Sequence, residues 1–558
     1  MKTKNKLKNF FHYILFLMSL YFIFYKININ YLSTTSPDYQ YYVDYLHYFF
    51  NEYGVTTREQ GVAYFFIVAI FIELSGEMFS LFSTQQIISN SIQVANLFLY
   101  FFGIVGIYNL LIYKKYPISN ILLSLTVLNF FPQTINLIVT MKPEIFAFAL
   151  LPWCIFLIEL YVDEQNYKYL YYSIIPNVLL LTSKATVLGM ILLLYLIVVL
   201  VKKIKIFNYK FLILFVFFLS LAFPILYENY IANGKHVFEH TNNLVEMQDI
   251  ADVSILYNIN FLELLTNPFR HAHADSLIGM VLLDTFGDYF QWYAYNDQST
   301  FNFSDTNFSS IWYVSHWKQF ISLIIGMIFY ICIVYFYSKE PKNIYLILPF
   351  FGLFILLLQA FGIPQRNFNK FTAELFKTHY YSFFILISAA FLMSLLIKKI
   401  KYIGILLLLI IVFSTSLIYG LFNSEPIYED YVSVKSQYVP TCKVNSLLDI
   451  DKSSLCMNDI VMTCQLNRVI YNSKNLKNKN INIFNYQKYE PIQELENNKG
   501  QKVIPRTEEE CINLVKSGYK YKSIFHSKLK IPKISLTYLI YCLALPLLIR
   551  RERLKTNN

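Results

Sequence analysis

The sequence predicts an all-α polytopic membrane protein with about twelve transmembrane helices. An interfacial or re-entrant helix is expected in the first outer loop, and a small α/β or irregular outer domain before the last span. Three observations predict this. Of 558 residues, 56% are hydrophobic and only 15% charged, a balance that suits lipid better than water. Apolar runs of about 17 to 25 residues, long enough to cross a bilayer, recur along the chain. The Lys and Arg residues sit in short clusters at the ends of those runs, which is the pattern of topology. The net charge of +11 therefore forms no contiguous basic domain with interleaved aromatics, and nucleic-acid binding is set aside. The 47 Tyr and 51 Phe residues read mainly as interfacial belts, many Tyr standing near run ends.

The first apolar run, from about Phe10 to Ile29, follows Lys2, Lys4, Lys6 and Lys8. It is too long for a signal peptide and no small-x-small site precedes Ser36-Pro37-Asp38, so it reads as an uncleaved first span. Further runs begin near Ser89, Ile118, Pro143, Tyr169, Thr186, Phe211, Phe320, Ile344, His379, Tyr402 and Ile534. The run Val62 to Leu74 is shorter, with Glu73 and Glu77 nearby, and reads as re-entrant or interfacial. Charge placement supports this assignment. With a cytoplasmic N-terminus, Lys114 and Lys115, Lys168, Lys202 to Lys210, Lys339 and Lys342, Lys398 to Lys401, and Arg550 to Lys555 all fall inside. A full span at Val62 would move every later cluster outside.

The chain thus divides into a transmembrane module over 1–422, with outer loops 30–88 and 227–319, an exoplasmic domain over 423–533, and a last helix with a cytoplasmic tail over 534–558. The exoplasmic domain carries Cys442, Cys456, Cys464 and Cys511, which permit two disulfides in three connectivities. Unpaired thiols are the alternative; a zinc site lacks a CxxC pair or a His partner. Cys154, Cys332 and Cys542 fall inside spans.

Several short polar motifs interrupt this layout. Ser36-Pro37-Asp38 follows the first span, with Ser36 as N-cap, Pro37 at the first helical position and Asp38 in the first turn. Glu59-Gln60-Gly61-Val62-Ala63-Tyr64-Phe65 closes the first loop. Met141-Lys142-Pro143-Glu144 opens the fourth span, and Thr182-Ser183-Lys184-Ala185-Thr186 joins the fifth and sixth. Leu283-Asp284-Thr285-Phe286-Gly287-Asp288-Tyr289-Phe290 lies in the second outer loop, and Phe376-Lys377-Thr378-His379-Tyr380-Tyr381 opens the tenth span.

In this order the motifs resemble the GT-C glycosyltransferases, multispan enzymes that take a sugar from a polyprenyl-phosphate carrier. The nearest likeness is to bacterial relatives of the protein mannosyltransferases and of the aminoarabinose transferases that modify lipid A. It covers roughly residues 1 to 420. The resemblance implies sugar transfer with inversion to a glycan, lipid or protein acceptor, in the bacterial cytoplasmic membrane with the site facing the exterior. The chain departs from the pattern in lacking a second acid beside Asp38 and a metal-binding DxD. No cofactor or metal is assigned.

The chemistry needs a carboxylate to take the acceptor's proton, assigned to Asp38 with Asp44 second. It needs cations for the departing lipid phosphate, for which Lys184 and Lys377 lead, followed by Lys142, Arg366, Lys370 and Arg270. At membrane edges the other role for such residues is snorkelling or headgroup contact. Asp284, Asp288, His379 and Glu144 are candidates for sugar or acceptor binding. His271 and His273 form a His-x-His string with Asp275, which more often marks a polar loop than a metal site. A transporter or flippase, and a polysaccharide polymerase or ligase, are the alternative readings.

Overall fold

The computed structural model describes residues 2–23, 42, 45, 46, 48–50, 60–78, 84–204, 208–233, 253–266, 268, 273, 276–286, 308–341, 343–362, 378–399, 409–411, 495–497, 499–503, 510, 513, 514, 516–521 and 529–556. In chain order, the helices are α1 (Lys2–Phe22), α2 (Val62–Met78), α3 (Thr84–Tyr113), α4 (Ile118–Leu128), α5 (Pro132–Val139), α6 (Glu144–Glu164), α7 (Lys168–Leu181), α8 (Ala185–Val201) and α9 (Tyr209–Ala232). Then come α10 (Phe261–Thr266), α11 (Leu277–Phe286), α12 (Phe308–Lys339), α13 (Leu348–Gly362), α14 (Ser382–Lys399) and α15 (Lys533–Thr556). A 3₁₀ turn, Thr378–Tyr381, leads into α14. The described part of the segment before α15 holds a three-stranded antiparallel sheet, β1 (Leu495–Glu496), β2 (Lys502–Val503) and β3 (Lys520–Tyr521), with β1 in the centre.

The protein is a helical membrane protein. Among the described residues, five helices are long and apolar enough to cross a bilayer: Ser91–Tyr113, Glu144–Glu164, Tyr209–Ala232, Phe320–Lys339 and Thr378–Lys399. The span expected from Ile118 is instead a pair, α4 and α5, bent by 60°. The bend falls at Asn129–Phe131, where Pro132 takes the first position of α5 and cannot continue the hydrogen-bond ladder of α4. Phe10–Tyr21, Ala185–Val201 and Ile344–Leu358 form shorter apolar helices. Of the span expected from Tyr402, only residues 409–411 are described.

The outer surface is apolar, as lipid requires. Along α9 large apolar side chains face outward, Phe223 at 68% and Leu212 at 63% exposure. The interior is apolar as well but also holds paired polar groups: Tyr100 Oη donates to Asn129 at 2.8 Å, and Asn129 Nδ2 donates to Ser19 Oγ at 2.8 Å. Helices α3 and α6 approach closely because α3 carries small residues on the shared face. A Cβ on Gly103 would stand 2.6 Å from the Phe148 carbonyl oxygen, and one on Gly106 would stand 2.9 Å from Pro152.

The bundle has two chemically distinct ends. At one end Glu159 is buried and accepts from Lys114 Nζ at 2.8 Å, Lys202 Nζ at 3.2 Å and the Tyr345 hydroxyl. Lys399 meets Glu340 at 2.5 Å where α12 and α14 terminate. The lysine clusters near residues 114, 168, 202, 339 and 398 therefore belong to helix ends on a single side.

The opposite end brings 61, 96, 140–144, 182–184 and 229 together. Tyr64 Oη donates to Asn96 Oδ1 at 2.9 Å, and Asn96 Nδ2 donates to Thr140 O at 2.7 Å. The chain is thus at the same level at Tyr64, in the first turn of α2, and at Asn96, from which α3 descends to Lys114. The apolar part of α2, Val62–Leu74, is among the shorter apolar helices.

Candidate functional site

The site lies at the end opposite the lysine clusters. Its floor is the turn between α5 and α6, residues 140–143, held by Asn96 Nδ2 on Ile138 O at 3.0 Å and Thr140 O at 2.7 Å. Pro143 caps α6 and leaves Glu144 in its first turn, where a carboxylate complements the helix dipole. Across from it, the chain is extended at Lys184, with φ −163° and ψ 142°, before α8 begins.

The first outer loop is stitched to this extended turn. Gln60 and Lys184 form an antiparallel bridge, and Gly61 N donates to Ser183 O at 2.7 Å. Gly61 is required there, since a Cβ would stand 2.0 Å from Thr182 O. The buried Asn229 of α9 accepts from Val62 N at 3.0 Å and donates to Thr182 O at 3.1 Å. Asn233 Nδ2 donates to Gln60 O at 3.3 Å, and Tyr45 Oη accepts from Gln60 N at 2.9 Å. The segment entering the last helix joins the same loop, Lys530 N donating to Phe49 O at 2.6 Å and Tyr48 Oη donating to Glu228 Oε1 at 2.7 Å. Burial and the Glu228 carboxylate push the Tyr48 hydroxyl well above its usual range, keeping it a donor.

Within this frame four of the expected site residues meet. Lys184 Nζ donates to Glu144 Oε1 at 2.6 Å, with Lys184 6% exposed and Glu144 fully buried. Lys142, 1% exposed, places Nζ 3.3 Å from His379 Nε2. An ammonium has only donors, so Nε2 of His379 accepts and its proton sits on Nδ1. Tyr380 links the two pairs: its ring lies 4.4 Å from that of His379 and 4.5 Å beneath Lys184 Nζ. Lys142 Nζ also lies 6.0 Å from the Tyr42 ring. Two lysines, one carboxylate and one imidazole thus meet in this cluster.

Asp284 belongs to the adjoining layer. Its carbonyl accepts from Gln133 Nε2 at 2.8 Å and from Thr378 Oγ1 at 3.3 Å, and Gln133 Nε2 also reaches Thr378 Oγ1 at 3.0 Å. This ties α11 and the α4–α5 bend to the residue beside His379. His273 is buried, its carbonyl accepting from Ser276 N at 3.0 Å, and among the described residues no group of three His, Cys, Asp or Glu can hold a metal. Asp38, Asp44, Lys377, Arg366, Lys370, Arg270, His271, Asp275, Asp288, Cys442, Cys456, Cys464 and Cys511 lie outside the described residues.

Sequence reading did not single out Gln60, Gln133, Asn96, Asn229 or Tyr380 as site residues. Each is a polar residue or Tyr in or beside an apolar run, and that was the available signal for Asn96, Gln133 and Asn229. The fold and the cluster define a helical membrane protein with a buried cluster of two lysines, a glutamate and a histidine at one end. No known family, curated protein or solved structure matches the chain, so its particular role rests on the site.

Proposed function

We propose that the chain is a membrane glycosyltransferase that moves one sugar from a polyprenyl-phosphate donor to an acceptor at the outer face of the cytoplasmic membrane. In this reading the lysine-clustered end is cytoplasmic, the chain crosses about twelve times, and the Lys142–Lys184 end faces the exterior. The observation that carries the reading is the convergence of Lys142, Glu144, Lys184 and His379 in one buried cluster.

The proposed reaction uses the two ammonium groups. An acceptor hydroxyl attacks the anomeric carbon, and its proton passes to a carboxylate, the role assigned to Asp38. The bond from the anomeric carbon to the phosphate oxygen breaks, and the lipid phosphate leaves with the electron pair. Its charge grows from one to two, so Lys142 and Lys184 act where negative charge develops, in a site shielded from water. Lys142 and Lys184 share the role of phosphate contact. Inversion at the anomeric carbon is implied by the family resemblance alone.

The bend between α4 and α5 favours a second reading as a transporter, because broken helices with polar residues at the break build transport sites. Reconstitution separates the two. Proteoliposomes given labelled polyprenyl-phosphate sugar and a membrane-derived acceptor are expected to yield a covalent glycosylated product, abolished by Asp38→Asn. Movement of label across the bilayer without covalent product would replace the transferase with the transporter. Equal turnover by wild type and Asp38→Asn would remove Asp38 from its role.

A further inference from the structure

Beside the lysines, the site contains buried oxygens that accept nothing. Glu144 Oε1 binds Lys184, whereas Glu144 Oε2 has no hydrogen-bond partner among the described residues, although the side chain is fully buried. Gln133 is equally buried. Its Nε2 donates to the Asp284 carbonyl, which can only accept, so the amide orientation is settled and Oε1 is the atom left without a donor. Gln60 Oε1 is buried without a partner as well. Unsatisfied buried acceptors are uncommon and costly, about 1–3 kcal/mol each, so three around one cluster call for a reason.

Their placement supplies it. Directly opposed residues of an antiparallel bridge project to the same face, which sets the Gln60 side chain beside that of Lys184 and hence toward Glu144. Gln133 is joined to the cluster's frame through Thr378, the neighbour of His379. The three acceptors thus belong to the segments that build the lysine cluster. A bare anion satisfies the lysines and leaves all three oxygens unpaired. A molecule that carries O–H or N–H donors next to its anionic group satisfies both halves.

We infer that Gln133 and Glu144, with Gln60, form a donor-selective subsite that recognises the hydroxyls of a polyol attached to the bound phosphate. This rests on the reading of Lys142 and Lys184 as the anion site, and it assigns sugar discrimination to residues that make no phosphate contact.

The test measures binding to the full-length protein in nanodiscs. The probes are inorganic phosphate, a panel of hexose and pentose 1-phosphates, and monodeoxy analogues of the tightest of them. At least one sugar phosphate is expected to bind about tenfold tighter than inorganic phosphate, and at least one deoxy analogue to lose that gain, as removal of one hydrogen bond to a buried acceptor predicts. Gln133→Met is expected to abolish the preference while leaving phosphate affinity unchanged. Sugar phosphates that all bind no better than phosphate would overturn the subsite. So would deoxy analogues that all match their parent, or a Gln133→Met variant that weakens phosphate and sugar phosphate equally. The wild-type protein with deoxy probes keeps the outcome decisive should the variant not fold. If the sugar preference holds while polyprenyl-phosphate sugar gives no transfer, the transferase reading fails and the subsite stands.

Discussion

At the scale of single residues, the ion pair between Glu144 and Lys184 dominates the energetics of the site. Both groups are nearly inaccessible to water, so removing one strands the other. Glu144→Gln is expected to lower stability by about 3 kcal/mol, measured as a fall in thermal unfolding midpoint in detergent. The double variant Glu144→Gln with Lys184→Met should lose less than the sum of the single variants, because neither leaves a buried charge behind. Additive losses would mean that the pair is not coupled. Lys142 Nζ lies 3.3 Å from His379 Nε2. Lys142→Gln is expected to lower sugar transfer by about 100-fold, as loss of one oxyanion-type donor does. A variant with wild-type transfer would shift the phosphate contact elsewhere.

At the scale of elements, the site depends on how tightly the first outer loop lies against the extended turn before α8. Gly61 sits where a side chain has no room, 2.0 Å from a backbone oxygen, and a neighbouring backbone cannot rotate away. Gly61→Ala is expected to cost about 1–3 kcal/mol in stability and to loosen Gln60 from Lys184, read as faster hydrogen exchange at the amides of 61 and 62. Unchanged exchange would show that the bridge does not hold the loop. The same scale explains the one departure in the helix layout. Pro132 was visible in the sequence, but the run around it was apolar enough to read as one span. The 60° bend needs the Gln133 contacts to Asp284 and Thr378 to hold α5 in place.

At the scale of the whole molecule, the prediction concerns sidedness. A cysteine placed at exposed Lys203 is expected to react with an impermeant maleimide only after cells are opened, and one at exposed Gln501 to react in intact cells. Labelling of position 203 from outside would invert the topology and place the Lys142 cluster in the cytoplasm. Most of the architecture was legible from sequence, because lipid imposes a rule that acts locally: a spanning helix must be apolar over its length, and basic residues collect on one side. Hence the apolar runs were enough to announce a helical membrane protein, and among the described residues five helices are long and apolar enough to cross a bilayer. Lys142, Glu144, Lys184 and His379 were legible as candidates because ionisable or polar groups at the edge of apolar runs are expensive and need a purpose. Their pairing was not legible, nor was the part played by Gln60 and Gln133. Lys184 lies 40 residues from Glu144, and Lys142 lies 237 from His379. That Glu144 pairs with Lys184 and Lys142 with His379 depends on contacts of a few ångströms between segments that no local rule relates. Sequence alone therefore determined the helical build and its suitability for a membrane. Only the tertiary structure decided which of these side chains meet, because hydrogen bonds and ion pairs are short-ranged while the residues that make them are far apart along the chain.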